Sequence, residues 1–547
     1  MQLRSFGHRA PLLWLVIPFA LGIIAARLSP VALPGSALLV TAVVALLVAC
    51  RWHHAEARWG IALVLGLFAA GAVHYDLRRD RLAPYETLPP REATLTLQLG
   101  RAFGGGTEAD RFSGFARIVA APRHLEDLVG QRVQVSFRVF EPGADVPSRG
   151  ALVRVTGVLE PLPRRPAGDD DFMRYLVDLG LNFRLGRGSL DEVIAPPGPV
   201  DHFLNKLLAW SRGQLGTGLD HRPDLSAALR AMLLGERHEL SEVQKSWFLR
   251  SGTMHLFAIS GLHIGALALG VHAALKLLRL PRLVAFLIGT AGLWIYVAMV
   301  GAPPSAVRAF LMVVCVQAAS AWRRPGNGLA GLVASALLVL LLDPMQLFGA
   351  GFQMSYAIVA ALIMLGLPLG ETVTTRWPLW RDIPAASRHV GHRVSDWLWQ
   401  RGWQSVGLAV SAALVSSVSS PAIFGWFTPG SLAINLVFIP AAVLVVFAGQ
   451  LALSCGAIGL TAGALLFTHA AGLVIALMQG VLAVVGGWPG VAWEVAPRWE
   501  WWYPVTLGGL LALITAGYAG GWRLDRGGYW PPFIWVAAML VTGLTFV

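Results

Sequence analysis

Residues 251–275 read SGTMHLFAISGLHIGALALGVHAAL, and the rest of the chain is organised around this stretch. It is apolar enough to enter a lipid bilayer, yet it contains His255, Ser260, His263 and His272. Unpaired polar groups cost free energy in hydrocarbon, so we expect these side chains to face a protein interior or a wet path. The glycines between them would let a neighbouring helix approach closely.

The composition is that of a polytopic membrane protein, with 55% hydrophobic and only 14% charged residues among 547. Its three cysteines are far apart, which argues against a disulfide or metal framework. The net charge of +12 could indicate nucleic-acid binding, but residues 76–200 contain 17 arginines and 17 acidic residues. The excess lies in short loops, a pattern that membrane orientation produces.

Apolar runs of about the length needed to cross a bilayer recur through the chain. Arginines and lysines fall in alternate loops, and the opposite loops are nearly uncharged. The positive-inside rule then predicts thirteen spans, with residues 76–250 and the C-terminus outside. The runs lie near 11–28, 31–50, 60–75, 254–278, 283–301, 304–322, 328–342, 349–369, 405–427, 430–454, 463–486, 503–520 and 530–547.

The polar region after the third run alternates apolar and polar residues with a period of two, which is typical of strands. The clearest segments are 93–100, 111–120, 131–139 and 151–162. About five such strands in about a hundred residues suit a small antiparallel OB-type barrel or a sandwich. A glycine triplet at 104–106 would form a flexible loop between the first two strands.

The sequence therefore predicts a mainly α-helical polytopic membrane protein with about 13 transmembrane helices. A small extracytoplasmic, OB-like β-barrel domain is inserted after the third helix. Amphipathic segments in 200–250 should lie on the membrane or against the barrel. The expected domains are three N-terminal helices at 1–75, the β domain at 76–195, surface helices at 196–252 and a channel domain at 253–547.

Arg308 lies inside an apolar run, where an arginine costs roughly 2.5 kcal/mol or more on insertion. Its planar guanidinium suits a phosphate or anion contact on a transport path. The alternative is a structural ion pair, for which Asp343 is the obvious partner. Gln353, Ser355 and Asn435 either form hydrogen bonds between helices or line a channel.

A hydrolase or metal site at Ser260, His255 and His263 has weaker support. The two histidines are eight residues apart and diverge by about 80° on a straight helix. The chain contains neither a His-Glu-x-x-His pair nor a Gly-x-Ser-x-Gly elbow. It also has no Walker A loop, so a gradient or a partner ATPase would have to drive any transport.

The stretch from Ser251 to Gly265 resembles the signature of the competence domain of ComEC-type DNA uptake channels. The segments around Arg308, Asp343 and Asn435 are similar to the same domain. Residues 165–180 resemble the end of the family's OB-containing loop. The resemblance covers nearly the whole chain.

The resemblance implies a channel in the bacterial inner membrane that imports single-stranded DNA during natural transformation. Its partners would be a membrane-anchored DNA receptor and cytoplasmic single-strand-binding proteins or an ATPase, and no cofactor or metal is implied. The DNA path would be formed by His255, Ser260, His263, Arg308, Gln353, Ser355 and Asn435. An OB-like barrel could also bind single strands by stacking and charge, with Phe103, Arg111, Phe112, Arg117 and Arg138 as candidate contacts.

The chain departs from the fuller family pattern in two ways. Many members carry a metallo-β-lactamase-like nuclease domain, but this sequence has no His-x-His-x-Asp-His motif, so we expect no enzyme activity from it. The outer region also lacks the cysteines with which some members form a disulfide. Two alternatives stay open: an intramembrane hydrolase using Ser260 and His263, and a gradient-driven transporter of a small anionic solute with Arg308 as the counter-charge.

Overall fold

A computed structural model describes residues 11–29, 35–52, 54–80, 89–103, 111–139, 147–162, 173, 176–177, 179, 181–324, 326–384, 387–486, 488, 490–522 and 527–546. The glycine triplet at 104–106 and most of 165–180 lie outside these ranges. The chain begins with three helices, α1 (Leu13–Leu28), α2 (Gly35–Arg51) and α3 (Glu56–Asp80). They form an antiparallel group in which α3 packs against both of the others.

The strand-rich region is a closed five-stranded barrel with the order β1-β2-β3-β5-β4. Neighbouring strands are antiparallel except β3 and β5, which are parallel. Inward residues at every second position, including Leu95, Leu97, Val133 and Val135, are fully buried. The strands are β1 (Arg91–Phe103), β2 (Arg111–Ala120), β3 (Arg132–Arg138), β4 (Leu152–Pro161) and β5 (Phe183–Ala195).

Three helices connect the barrel to the apolar part of the chain: α4 (Pro199–Gly216), α5 (Pro223–Leu234) and α6 (Glu242–Arg250). The expectation of a surface position does not fit α5, because nearly all of its residues from Leu225 to Leu234 are buried. Its apolar side chains belong to a core that includes Phe438 and Ile475 from later helices. The segment is short and apolar on several faces, so it fills the domain interior.

The remainder is helical, apart from a small sheet of β6 (Trp426–Phe427), β7 (Trp493–Pro497) and β8 (Leu544–Phe546). A helix occupies each of the apolar runs that the sequence predicts as spans. These helices are α7 (Gly261–Leu277), α8 (Arg282–Met299), α9 (Pro304–Ala321), α10 (Gly328–Leu342), α11 (Ala350–Ala361), α12 (Leu367–Arg376), α13 (Val390–Phe424), α14 (Ser431–Ala457), α15 (Thr461–Val485), α16 (Trp502–Ala519) and α17 (Trp530–Gly543).

Eight helices in the described part of the chain are long and apolar enough to cross a membrane. One of them, Ala350–Arg376, combines α11 and α12 through a π-helical turn at Leu362–Gly366. The others are α3, α8, α9, α13, α14, α15 and α16. The helices α1, α2, α7, α10 and α17 are apolar but shorter than eighteen residues.

The N-terminal helices contact the later helices along α10 and at the turn that follows it. The guanidinium of Arg27 lies 4.0 Å from the centre of the Phe348 ring. Arg78 Nε lies 3.9 Å from Asp343 Oδ1, and the Tyr75 ring meets Phe348 edge-on. The C-terminal ends of α1 and α3 therefore lie on the same side of the molecule.

Candidate functional site

Three helices, α7, α9 and α11, begin close together, and α14 begins beside the segment that precedes α7. Ser305 Oγ in the first turn of α9 donates a hydrogen bond to the carbonyl of Ile259, just before α7 (2.7 Å). Gly252 packs against Ser431, the first residue of α14, in the same region. The amino end of a helix carries a partial positive charge, so this convergence favours an anion. The sequence-predicted path residues within the first two turns of these helices are His263, Arg308, Gln353, Ser355 and Asn435.

Arg308 is buried at the point where α9 meets α11, with only 5% of its surface exposed. Its Nη2 donates a hydrogen bond to Ser355 Oγ (3.2 Å). Gly351 leaves room for the guanidinium, since a Cβ there would lie 3.0 Å from Nη2. The Nε group has no hydrogen-bond partner among the described residues. A buried cation with an unused donor can bind an anion such as phosphate.

The alternative for Arg308, an ion pair with Asp343, is not formed in the structure. Asp343 pairs instead with Arg78, and it accepts hydrogen bonds from the backbone N–H of Met345 (3.1 Å) and Nε2 of Gln346 (3.3 Å). Asp343 precedes a short helix at 344–348, and capping that helix turns the carboxylate away from Arg308. No acidic side chain of the described chain lies within 4 Å of Arg308.

Ser260 and His263 form a local pair at the start of α7. Ser260 Oγ lies 3.0 Å from His263 Nδ1, and the Ser260 backbone N–H donates to the same nitrogen (3.3 Å). This arrangement is that of a capping box, in which residues three apart satisfy the helix start. His263 is buried, and its Nε2 has no partner within the described residues. His255 is exposed between buried neighbours, and its Nδ1 lies 2.9 Å from the Gly252 carbonyl oxygen.

The remaining path residues differ in how much hydrogen-bonding capacity they retain. Gln353 Nε2 donates to the Leu347 carbonyl (3.1 Å), and Ser355 Oγ donates to the Gly351 carbonyl (2.7 Å). Asn435 Oδ1 is buried and has no partner in the described part of the chain. Arg308, His263 and Asn435 therefore keep unused polar atoms, whereas Gln353 serves the local structure.

A charged network supports the segment that precedes α7. Arg237 Nε donates to the Phe257 carbonyl (3.0 Å), and Arg230 Nε lies 3.1 Å from Glu239 Oε2. Burial raises the pKa of Glu239 above its ordinary value, while Arg230 acts in the opposite direction. Arg212 pairs with the buried carboxylate of Glu236. These contacts hold the turn at 254–257 against α5.

A cavity of about 530 Å³ lies between the barrel, the start of α9 and the end of α10; we call it the vestibule. Its charged lining consists of five arginines and two aspartates. Both aspartates already have partners, because Asp201 pairs with Arg149 (3.5 Å) and Asp343 with Arg78. The vestibule is therefore electropositive. Its arginines are Arg101, Arg117, Arg132, Arg149 and Arg308.

A second cavity, of about 590 Å³, lies on the barrel; we call it the outer cleft. Arg187 in this cleft has a φ of 51°, between Gly186 and Gly188, at an irregularity in β5. Non-glycine residues rarely adopt this conformation, which here aims the side chain differently from its neighbours. The charged residues that line the cleft are Arg111, Arg138, Arg184, Arg187 and Glu160.

The vestibule and the outer cleft lie at opposite ends of the paired strands β2 and β3. Arg111 is directly opposite Arg138 at one end, and Arg117 is directly opposite Arg132 at the other. Six residues separate the pairs along a strand, which is about 20 Å. Like charges opposite each other destabilise a sheet, and an anionic ligand would offset this cost.

The barrel residues predicted to contact DNA thus lie in different parts of the barrel. Arg117 lines the vestibule, and Arg111 and Arg138 line the outer cleft. Phe112 does not fit its predicted role, because it is 4% exposed and stacks on Phe137 inside the barrel (5.1 Å between ring centroids). It has the same inward parity as Ala116 and Ile118. For Phe103 the structure describes only the backbone, which pairs with Ser113.

Sequence reasoning missed several arginines of the two cavities. Arg132 begins the alternation of polar and apolar residues in β3, so its outward position was available from the sequence pattern. Arg184 and Arg187 lie in β5, a strand for which the sequence pattern predicted no location. Within the described residues there is no group of three or more His, Cys, Asp and Glu side chains that could hold a metal ion.

The comparisons with known proteins point to one family. The chain is 29% identical over 217 residues to ComE operon protein 3 of Bacillus subtilis (strain 168), a match that covers 39% of this chain and 27% of that protein. It is 34% identical over 163 residues to Competence protein ComA of Neisseria gonorrhoeae, covering 28% of this chain and 23% of that protein. The matches thus span about a quarter of the length of these relatives. No solved structure matches.

The family model described as Competence protein matches residues 232–519, which is just over half of the chain. This range includes the four helix starts, Arg308 and the Ser260–His263 pair. The match agrees with the resemblance of residues 251–265 to a competence domain. The chain therefore belongs to the Competence protein family.

Proposed function

We propose that this chain is a bacterial inner-membrane channel that carries single-stranded DNA into the cytoplasm during natural transformation. One observation carries the proposal: the electropositive vestibule ends at buried Arg308, near the starts of α7, α9 and α11. Phosphodiester backbones are bound by arginines and by helix amino ends. Family membership supports a role in DNA uptake.

In this proposal all thirteen apolar helices cross the bilayer. The short helices α1, α2, α7, α10 and α17 cross in addition to the eight long ones. The barrel and the C-terminus then lie on the periplasmic side, and the arginine-rich loops lie in the cytoplasm. The domains would follow the predicted limits of 1–75, 76–195, 196–252 and 253–547.

The residues at the helix starts would act on the entering strand in different ways. Arg308 would bind a backbone phosphate with the guanidinium edge that it does not use for Ser355. His263 and Asn435 would offer their unused polar atoms to bases or phosphates. His255 and Ser260 would shape the entry, and Gln353 would hold the turn before α11 in place.

The barrel would bind DNA before it reaches the vestibule. Its strand order and the parallel β3–β5 pair support an OB-like identity. The outer cleft would make the first contact through Arg111, Arg138, Arg184 and Arg187, and Arg117 and Arg132 would follow at the vestibule. Binding would then rest on charge, since Phe112 is enclosed in the barrel.

Other proteins would complete the process. A membrane-anchored DNA receptor would deliver the strand from outside. The sequence contains no nucleotide-binding loop, so a cytoplasmic ATPase or single-strand-binding proteins would draw the strand inward. The lipid bilayer surrounds the apolar helices.

The proposal predicts the fate of labelled double-stranded DNA given to cells that lack this gene. DNA should still bind at the cell surface, but no label should become resistant to external nuclease. Expression of the full chain should restore nuclease-resistant, single-stranded label in the cytoplasm. Undiminished DNA uptake in the deletion strain would contradict the proposal. If DNA uptake were normal but membrane vesicles prepared from the deletion strain no longer took up a small anion, the chain would be a transporter of that anion.

A second candidate, an intramembrane hydrolase, is favoured only by the 3.0 Å contact between Ser260 and His263. A nucleophilic serine would react with an activity-based fluorophosphonate probe. Because the described residues provide no acidic group to orient His263, we expect no labelling, and Ser260→Ala should resemble the wild type in this assay. Labelling that disappears in Ser260→Ala but persists in Ser305→Ala would support the hydrolase.

A further inference from the structure

The helix α13 is longer than a membrane crossing requires. Its 35 residues extend about 52 Å, whereas the hydrocarbon core of a bilayer is about 30 Å thick. An upright helix would leave roughly 15 residues at its amino end, 390–404, beyond the hydrocarbon, whereas a tilt of about 40° brings residues 397–398 to the hydrocarbon edge. Residues 390–404 and the described residues that precede them, 376–384 and 387–389, form what we call the α13 platform.

The loop of the platform folds back onto one face of α13. Trp380 Nε1 donates to Ser395 Oγ (2.8 Å), and Trp399 Nε1 donates to the Trp377 carbonyl (3.0 Å). Arg388 donates to the Trp380 carbonyl (2.7 Å) and pairs with Asp396 (3.4 Å). One face of α13 is therefore covered by the preceding loop of the same chain.

The other face of α13 carries an exposed apolar stripe. Val390, Val394, Trp397 and Leu398 are each at least half exposed. Their spacing of three and four residues places them on one side of the helix. The exposed face continues through Ser405 toward the spanning part of the helix.

Arginines flank this stripe and lack acidic partners. Arg376, Arg381, Arg393 and Arg401 are exposed, and no acidic side chain of the described residues lies within 4 Å of them. The guanidinium of Arg401 lies 5.9 Å from the centre of the Trp397 ring, so charge and apolar surface face the same way. A surface that is both cationic and apolar matches the boundary between lipid headgroups and acyl chains.

We propose that the α13 platform binds the anionic headgroups of the surrounding membrane. Trp397, Leu398 and Val394 lie at the acyl boundary, and Arg393 and Arg401 contact lipid phosphates. Tryptophan is enriched at this depth, and a basic residue near an anionic surface strengthens binding about fivefold. The helix is continuous with its own transmembrane segment, which favours the bilayer over a soluble partner as the occupant. This inference does not depend on DNA transport.

The test uses the full chain in phosphatidylcholine vesicles with or without about one third phosphatidylglycerol. A nitroxide is attached at Leu398→Cys after replacement of Cys50, Cys315 and Cys455 by serine. We expect shallow immersion of this label, with greater access to oxygen than to a water-soluble nickel complex, and deeper immersion with phosphatidylglycerol. A label at Glu126→Cys, which is exposed on the barrel, should stay in water.

Replacing Arg393 and Arg401 shows how much of the membrane binding depends on their charge and how much on apolar contact. In Arg393→Gln with Arg401→Gln, the immersed-to-aqueous ratio at residue 398 should fall about fivefold for each arginine in anionic vesicles. The matched control is Arg91→Gln with Arg123→Gln on the barrel, which removes the same charge and should change nothing. An aqueous label at residue 398 in anionic vesicles would overturn the inference. The inference would also be overturned if the label were immersed to the same depth in neutral and anionic vesicles. It would be overturned as well if the label became immobile only after single-stranded DNA or another protein was added.

Discussion

Natural transformation is expected to fall by about 100-fold or more when Arg308 is replaced by alanine, while the protein still accumulates in the membrane. The reason is the few kcal/mol that a buried charge contact contributes. Arg308 is the vestibule arginine that reaches the helix starts, and its buried Nε has no hydrogen-bond partner among the described residues. Loss of this contact removes the counter-charge where the strand leaves water. Transformation frequency and membrane abundance are measured together.

Two further variants sharpen the result for Arg308. Arg308→Lys keeps the charge but loses the forked donor geometry, so its transformation should lie between those of the wild type and the alanine variant. Arg222→Ala is the control, because this exposed arginine pairs with Asp224 away from the vestibule. Normal transformation in Arg308→Ala would show that the residue serves packing alone.

The second large effect concerns the cross-strand pair Arg117 and Arg132. The double variant Arg117→Gln with Arg132→Gln should weaken binding of a single-stranded oligonucleotide to the full chain in nanodiscs. Each neutralised phosphate contributes about 0.7 to the salt slope for single strands. The slope of log affinity against log salt should therefore become shallower by about 1.4. Fluorescence anisotropy over a range of salt concentrations measures it.

The comparison for this pair is Arg91→Gln with Arg123→Gln, which removes the same charge from barrel residues outside both cavities. Its salt slope should equal that of the wild type. If both double variants lost affinity equally, the net charge of the barrel would explain binding. If neither changed the slope, the vestibule arginines would not contact the backbone.

Much of the fold could be predicted because its signals are local. Apolar runs set the helix positions, and alternation in β1 distinguishes buried from exposed residues, whereas in β3 the polar Gln134 and Ser136 are buried as well. The same alternation shows that Phe112 points inward with Ala116, so the mistaken role of Phe112 came from residue type rather than from the pattern. Parity along a strand predicts burial better than aromatic character does.

The candidate site depends on contacts between distant segments, which local patterns do not encode. Asp343 lies at a depth in the predicted membrane that would suit a pair with Arg308, but in the structure it pairs with Arg78 of α3. Arg101 and Arg149 join the vestibule because the barrel sits over the start of α9, with Arg149 Nη1 donating to the Ala298 carbonyl (2.6 Å). Alternate spans begin on the same side in any simple topology, but which of them are neighbours follows from packing.

The closed barrel has a consequence for how other proteins can recognise this chain. All five of its strands have a partner on both sides, so the unpaired backbone to which a partner could add a strand is confined to strand ends such as 91–95 and 190–195. The edges of the described sheets are confined to β6 and β8, which have two and three residues. A protein that docks elsewhere on the barrel must therefore recognise side chains and loops. The arginines that would bind a nucleic-acid backbone are then also the most prominent features available to a protein with an acidic surface, and the two would compete for them.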